Sequence, residues 1–191
     1  MLSLRLREET RNEHSQLESK IDLRTFARDE ARFVALLKAF YGYYLVIEKD
    51  LMRFQQDFTD AGCVISDRLK SELIRRDLET FGVGPAEMSK IALCESTPPM
   101  EKFSDAMGCL YVLEGSTLGG QVILKELTKA NIVTDQRVSQ FYAGYRERTM
   151  PMWMSFKSAL DKLDEGLSEQ VLSSARRTFK TLDQWLQANL M

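Results

Sequence analysis

The chain has a single histidine, His14, among 191 residues. A metal site built from several imidazoles therefore cannot come from one copy. Its three cysteines, Cys63, Cys94 and Cys109, are an odd number without CxxC spacing. This argues against a disulfide framework or a thiolate zinc site and fits a reducing cytoplasm. Four prolines and ten glycines are few for this length, which favours helices over turn-rich β structure. The 26 basic and 28 acidic residues nearly cancel, so strong nucleic-acid binding is not expected. No apolar run approaches the roughly 18 to 20 residues of a membrane span. The N-terminus becomes charged at Arg5, before any signal-peptide core could form. These absences predict a cytoplasmic protein that engages neither nucleic acid nor membrane.

What is present is an ordinary globular mixture, 44% hydrophobic and 28% charged, at a length that suits one domain over residues 1–191. Most segments between breakers carry helical period. Leu6, Thr10, His14, Leu17 and Ile21 share one face of a first helix expected from Ser3 to Lys20. A second helix starts near Asp29 with a broad stripe from Phe33 to Phe54, and a third runs from Ser66 to Gly82. Helical pattern resumes near Met100 and continues past Gly115 into Gln121-Val-Ile-Leu. Further helices are expected over 139–145, 151–163 and 168–190, with Pro151 and Ser168 as starting residues. The fold class is all-α, a single multi-helix domain.

Gly115, Gly119 and Gly120 interrupt strongly helical flanks. Each costs about 1 kcal/mol against alanine inside a helix, so a compensating role is expected. Read as one bare helix face, they would let backbone approach a flat object closely. Two other readings stand beside this: a groove for close helix packing, or a simple helix break. A phosphate loop is unsupported, because no Lys-Ser/Thr follows and no strand precedes.

His14 reads either as a satisfied core residue or as a ligand. Glu18, one turn on, is placed to hold one ring nitrogen. Arg7 and Arg11, on adjacent faces, suit carboxylates at a cofactor edge. One imidazole without a second strong ligand would leave a haem iron open on its other side, as oxygen chemistry requires.

Taken together, the segment Tyr111-Val-Leu-Glu-Gly-Ser-Thr-Leu-Gly-Gly-Gln-Val-Ile resembles the distal-helix signature of haem oxygenases, particularly the bacterial, biliverdin-producing branch. Leu6-Arg-Glu-Glu-Thr-Arg-Asn-Glu-His14 is similar to that family's proximal-helix start. The resemblance implies that His14 ligates haem iron with Glu18 behind it. It also implies that Gly115, Ser116, Gly119 and Gly120 form the distal wall. Arg7, Arg11, Tyr142, Arg146 and Phe179 would contact the haem or its propionates. Where Ser116 stands, animal relatives carry an aspartate that organises distal water, so Ser116 or Thr117 would have to anchor it differently. Haem would be both cofactor and substrate, consumed with O2 to biliverdin, carbon monoxide and ferrous iron. Electrons would come from an external ferredoxin-like donor or flavin reductase, since the chain has no flavin or iron–sulfur motif. A non-catalytic haem carrier or sensor, and a cofactor-free helical interaction module, are the competing readings.

Overall fold

The two longest helices, α8 (Phe103–Lys129) and α11 (Ser168–Leu190), cross where a side chain is missing. A Cβ on Gly108 would stand 2.2 Å from the Val171 carbonyl oxygen, so only glycine permits the contact. Ser174 donates its hydroxyl to the Asp105 carbonyl at 2.6 Å beside this crossing, and Arg177 pairs with the Asp105 carboxylate at 3.0 Å. These bonds fix the helix pair that organises the rest of the core.

The computed structural model describes residues 1–20, 23–26, 28–134, 137 and 139–190. It is 77% helical, without strands among the described residues. In chain order the remaining helices are α1 (Leu2–Glu9), α2 (Arg11–Lys20), α3 (Leu23–Phe26), α4 (Glu30–Leu51), α5 (Gln55–Asp60), α6 (Ser71–Thr80), α7 (Pro85–Met88), α9 (Gln140–Ala143) and α10 (Thr149–Leu160). Asp29 caps α4 by accepting from the Arg32 N–H at 2.8 Å. The stripe of Phe33, Leu36, Leu37, Phe40, Tyr44, Ile47 and Leu51 is buried, as its spacing predicts. α4 lies against α6 and α11, while α8 also packs on α9 and α10. One apolar cluster spans these elements.

Three boundaries differ from the sequence reading. The first helix is divided: α1 ends at Glu9 and α2 begins at Arg11. Thr10 donates both its backbone N–H (2.9 Å) and its hydroxyl (2.7 Å) to the Leu6 carbonyl, and its backbone leaves helical geometry. Such side-chain competition for a helical carbonyl weakens the next turn. Ser3 is not the cap; its N–H and hydroxyl both donate to the Asp161 carboxylate at 2.7 Å. The third helix is likewise split, into a 3-10 turn over Ile65–Arg68 and α6, whose end is marked by Gly82 at φ 86°.

Candidate active site

Helix α8 stays continuous through its glycines, so the helix-break reading does not hold. At about 100° per residue, Gly115, Leu118, Gly119 and Val122 fall on one face. Among the described residues, a Cβ on Gly119 would meet nothing within 4 Å, and one on Gly115 would meet only the Trp153 ring, at 4.0 Å. Leu118 and Val122 are 39% and 44% exposed. Gly120 is a correction to the single-face reading, because a step of five residues rotates it well away from Gly115. It is buried, and a Cβ there would come within 2.8 Å of the Tyr142 carbonyl oxygen. Gly115 and Gly119 therefore bare the helix, while Gly120 accommodates a neighbouring backbone.

His14 occupies α2, of which no residue is buried. The core-facing stripe predicted for the first helix is buried only up to Thr10, with Leu17 packed against the core's edge. Leu17 is only half-buried, and Ile21 lies outside the described residues. The His14 side chain is 54% exposed, with Nδ1 3.5 Å from Glu18 Oε2. Its ring meets the buried Phe179 of α11 edge-on, centroids 5.9 Å apart. With Nδ1 turned to the carboxylate, Nε2 is the nitrogen left for a ligand.

Tyr111, one turn before Gly115 on α8, lies close to Thr10 at the break between α1 and α2, with the Arg7 charge nearby. Burial raises this phenol above its usual range, so it remains a neutral hydrogen-bonding group. α3, which follows α2, packs against α8 again. Arg7, Arg11 and Arg146 are all exposed. Arg146 takes up positive φ, 53°, at the turn into α10. Tyr142 is placed differently from the expectation of a haem contact. It is buried, with its ring against Phe33 and Phe141 and its hydroxyl without a protein partner.

Ser116 is exposed on the flank of the bare face. It donates to the Leu113 carbonyl at 2.8 Å, so the Tyr44 hydroxyl, 3.2 Å away, acts as donor to Ser116 Oγ. Tyr44 is almost fully buried, and desolvation raises its phenol well above the ordinary value. Nothing in the sequence spacing of Tyr44 distinguishes a core tyrosine from one whose hydroxyl reaches a site.

The Heme oxygenase family model matches residues 1–188. The chain belongs to the haem oxygenase family. It is accordingly an oxidoreductase that cleaves haem to biliverdin, with haem as both substrate and cofactor. No curated protein matches the sequence significantly. The fold is similar to a haem oxygenase from Leptospira interrogans, at TM-score 0.81 and 18% identity over 98% of each chain. It is similar also to the NO- and CO-bound haem oxygenase of Neisseria meningitidis, at TM-score 0.82 and 16% identity over 100% of this chain and 92% of that one. Haem oxygenase-1 from the cyanobacterium Synechocystis, in complex with haem, aligns at TM-score 0.78 and 16% identity over 99% of this chain and 93% of that one. The residues present fit haem: a position, Gly119, where a methyl group would project into open space among the described residues, exposed apolar side chains beside it, and an imidazole with one nitrogen turned away from its carboxylate. No helix is long and apolar enough to cross a membrane among the described residues.

Proposed function

We propose that His14 is the proximal iron ligand, binding through Nε2, and that the Gly115–Gly119 face of α8 is the opposing wall. The observation that carries this reading is the bareness of that face, since among the described residues Gly119 has no neighbour within 4 Å of an added Cβ. Glu18 orients the His14 ring through Nδ1. Phe179 supports the ring from beneath. Arg7, Arg11 and Arg146, exposed and without an ion pair among the described residues, are available to the propionates.

When bound, haem supplies the iron that engages O2 and the meso carbon that is oxidised. The chain's own contribution is steric and polar. A wall without side chains at Gly115 and Gly119 keeps strong acids and bases away from the reacting centre. Ser116 spends its own proton on the Leu113 carbonyl and receives one from Tyr44, so its remaining lone pair can hold a water at the cleft edge. Protons would reach the cleft through that water rather than from a carboxylate at position 116. Electrons come from an external ferredoxin-like or flavin-dependent donor. Three unpaired, buried thiols suit a reducing cytoplasmic setting.

The test is turnover of the purified chain with haem, O2 and a reductant, with products separated by isomer. Biliverdin and carbon monoxide are expected. Recovery of intact haem from a well-formed complex would make the chain a carrier or sensor, and absence of a Soret shift would leave it an interaction module.

A further inference from the structure

A buried charged cluster lies behind the distal helix. Glu114, immediately before Gly115, has a side chain only 2% exposed. Its carboxylate accepts from the Arg68 guanidinium and from the Tyr145 hydroxyl. Arg68 also donates to the Met152 carbonyl of α10 at 3.1 Å. The Lys70 ammonium, again 2% exposed, stands 3.7 Å from Glu114 Oε1 and 3.6 Å above the Tyr145 ring. The separation from Glu114 is too long for a hydrogen bond, and Lys70 Nζ has none. Beyond it, Glu48 of α4 accepts from the Lys70 and Ser71 backbone N–H groups. None of these groups is used by the binding and wall roles assigned above.

Their position relative to Gly115 gives the cluster a purpose. Residues before and after Gly115 project to opposite flanks of α8, each about 100° away from it. One flank is held by Ser116 on Tyr44, the other by Glu114 on Arg68, Lys70 and Tyr145. Glycines soften a helix and allow it to bend or turn. A stretch with three of them in six residues gains no rigidity from its own sequence. We propose that Glu114 is a positioning residue, whose clamp by Arg68, Lys70 and Tyr145 sets the rotation of α8 so that Gly115 and Gly119 face the cleft. The proposal rests on the reading of that face as the distal wall.

One member of the clamp titrates in an accessible range. Desolvation lowers the Lys70 ammonium to about 8, against the opposing pull of Glu114 and Glu48 and together with the repulsion of Arg68. The groups that face it are Glu114 on α8, Glu48 on α4, Arg68 before α6 and the Tyr145 ring after α9. Burial and the Glu114 carboxylate both hold Tyr145 protonated, so it stays a donor while Lys70 changes charge. As pH rises through about 8, Glu114 loses one cation and its hold on α8 weakens.

Trp153 reports on this directly, because among the described residues its ring is the one that stands against the Gly115 Cβ position, at 4.0 Å. The experiment is fluorine NMR of the haem-free full chain labelled with 5-fluorotryptophan, the Trp153 signal being assigned with Trp153→Phe. In the wild type the Trp153 resonance should move with pH, with a midpoint near 8. In Lys70→Met that movement should vanish, and in Glu114→Gln the resonance should be displaced at every pH. Haem affinity, read by Soret titration, should fall roughly tenfold in Glu114→Gln, the scale of a lost hydrogen bond to a charged group. Glu114→Asp should recover part of it. Tyr145→Phe keeps the ring under Lys70 and removes only one hydroxyl, so it provides the same displacement in smaller measure should the charge variants fail to fold. His14→Ala should leave the Trp153 titration intact while removing iron ligation, which separates failure of this proposal from failure of the His14 assignment. A Trp153 signal that ignores pH, together with unchanged haem affinity in folded Glu114→Gln or Tyr145→Phe, would overturn the proposal.

Discussion

Adjacent glycines in α8 answer to different neighbours. A methyl group at Gly119 would enter open space, whereas at Gly120 it would press on the Tyr142 carbonyl at 2.8 Å. Gly119→Ala should therefore stabilise the haem-free protein by up to about 1 kcal/mol through helix propensity, yet impair haem turnover or change the isomer formed. Gly120→Ala should destabilise it by about 1 to 3 kcal/mol, the scale of forced overpacking. Denaturant melts and product separation on the two variants check both halves. His14→Ala should change stability by less than about 0.5 kcal/mol, because the side chain is half-exposed, while turnover is lost. At this scale the sequence was informative about residue type and weak on direction. The Tyr111–Ile123 segment marked a helix face poor in side chains, and the open space at Gly119 agrees with that part alone; the ligand role of His14 is the one proposed above. Helical phase already sets Gly120 well away from Gly115, while the Tyr142 carbonyl that closes in on Gly120 comes from a distant segment and is seen only in three dimensions.

Among the longer helices, α2 has no buried residue, and it follows the break at Thr10. Period alone could not reveal that break, since Thr10 fits the apolar spacing and acts through its hydroxyl. The long amphipathic elements α4 and α11 were legible because burial on one face dominates their sequence. The cluster around Glu114 was not, because it joins four separate segments. One signal existed, a carboxylate following the buried run Cys109–Leu113. Lys70 provides a test at this scale. Its ammonium titrates near 8 in the folded chain and near about 10.4 when unfolded. Between those values the unfolded chain holds more protons, so Lys70 makes folding stability rise with pH across that window. Comparing wild type with Lys70→Met in urea from pH 7 to 10.5 should show this upward slope in the wild type relative to the variant. Parallel curves would remove Lys70 as its source.

For the whole molecule, the helices join in one core while the Gly119 position of α8 stays open among the described residues. Ligand that binds only the folded chain stabilises it by mass action, about 2.7 kcal/mol at a hundredfold excess over Kd. Haem should raise the melting temperature accordingly and slow hydrogen exchange in α2 more than in α4, whose inward side is already buried. Equal protection of both helices would contradict seating of haem against α2. The all-α architecture followed from composition and period. The family membership, by contrast, was carried by two short motifs whose partners meet only in three dimensions. The most direct measurement of the central claim is the iron–imidazole stretching band of the ferrous haem complex by resonance Raman. The band should be present in the wild type, absent in His14→Ala and restored to that variant by added imidazole. A His14→Ala complex that keeps both the band and haem turnover would contradict it.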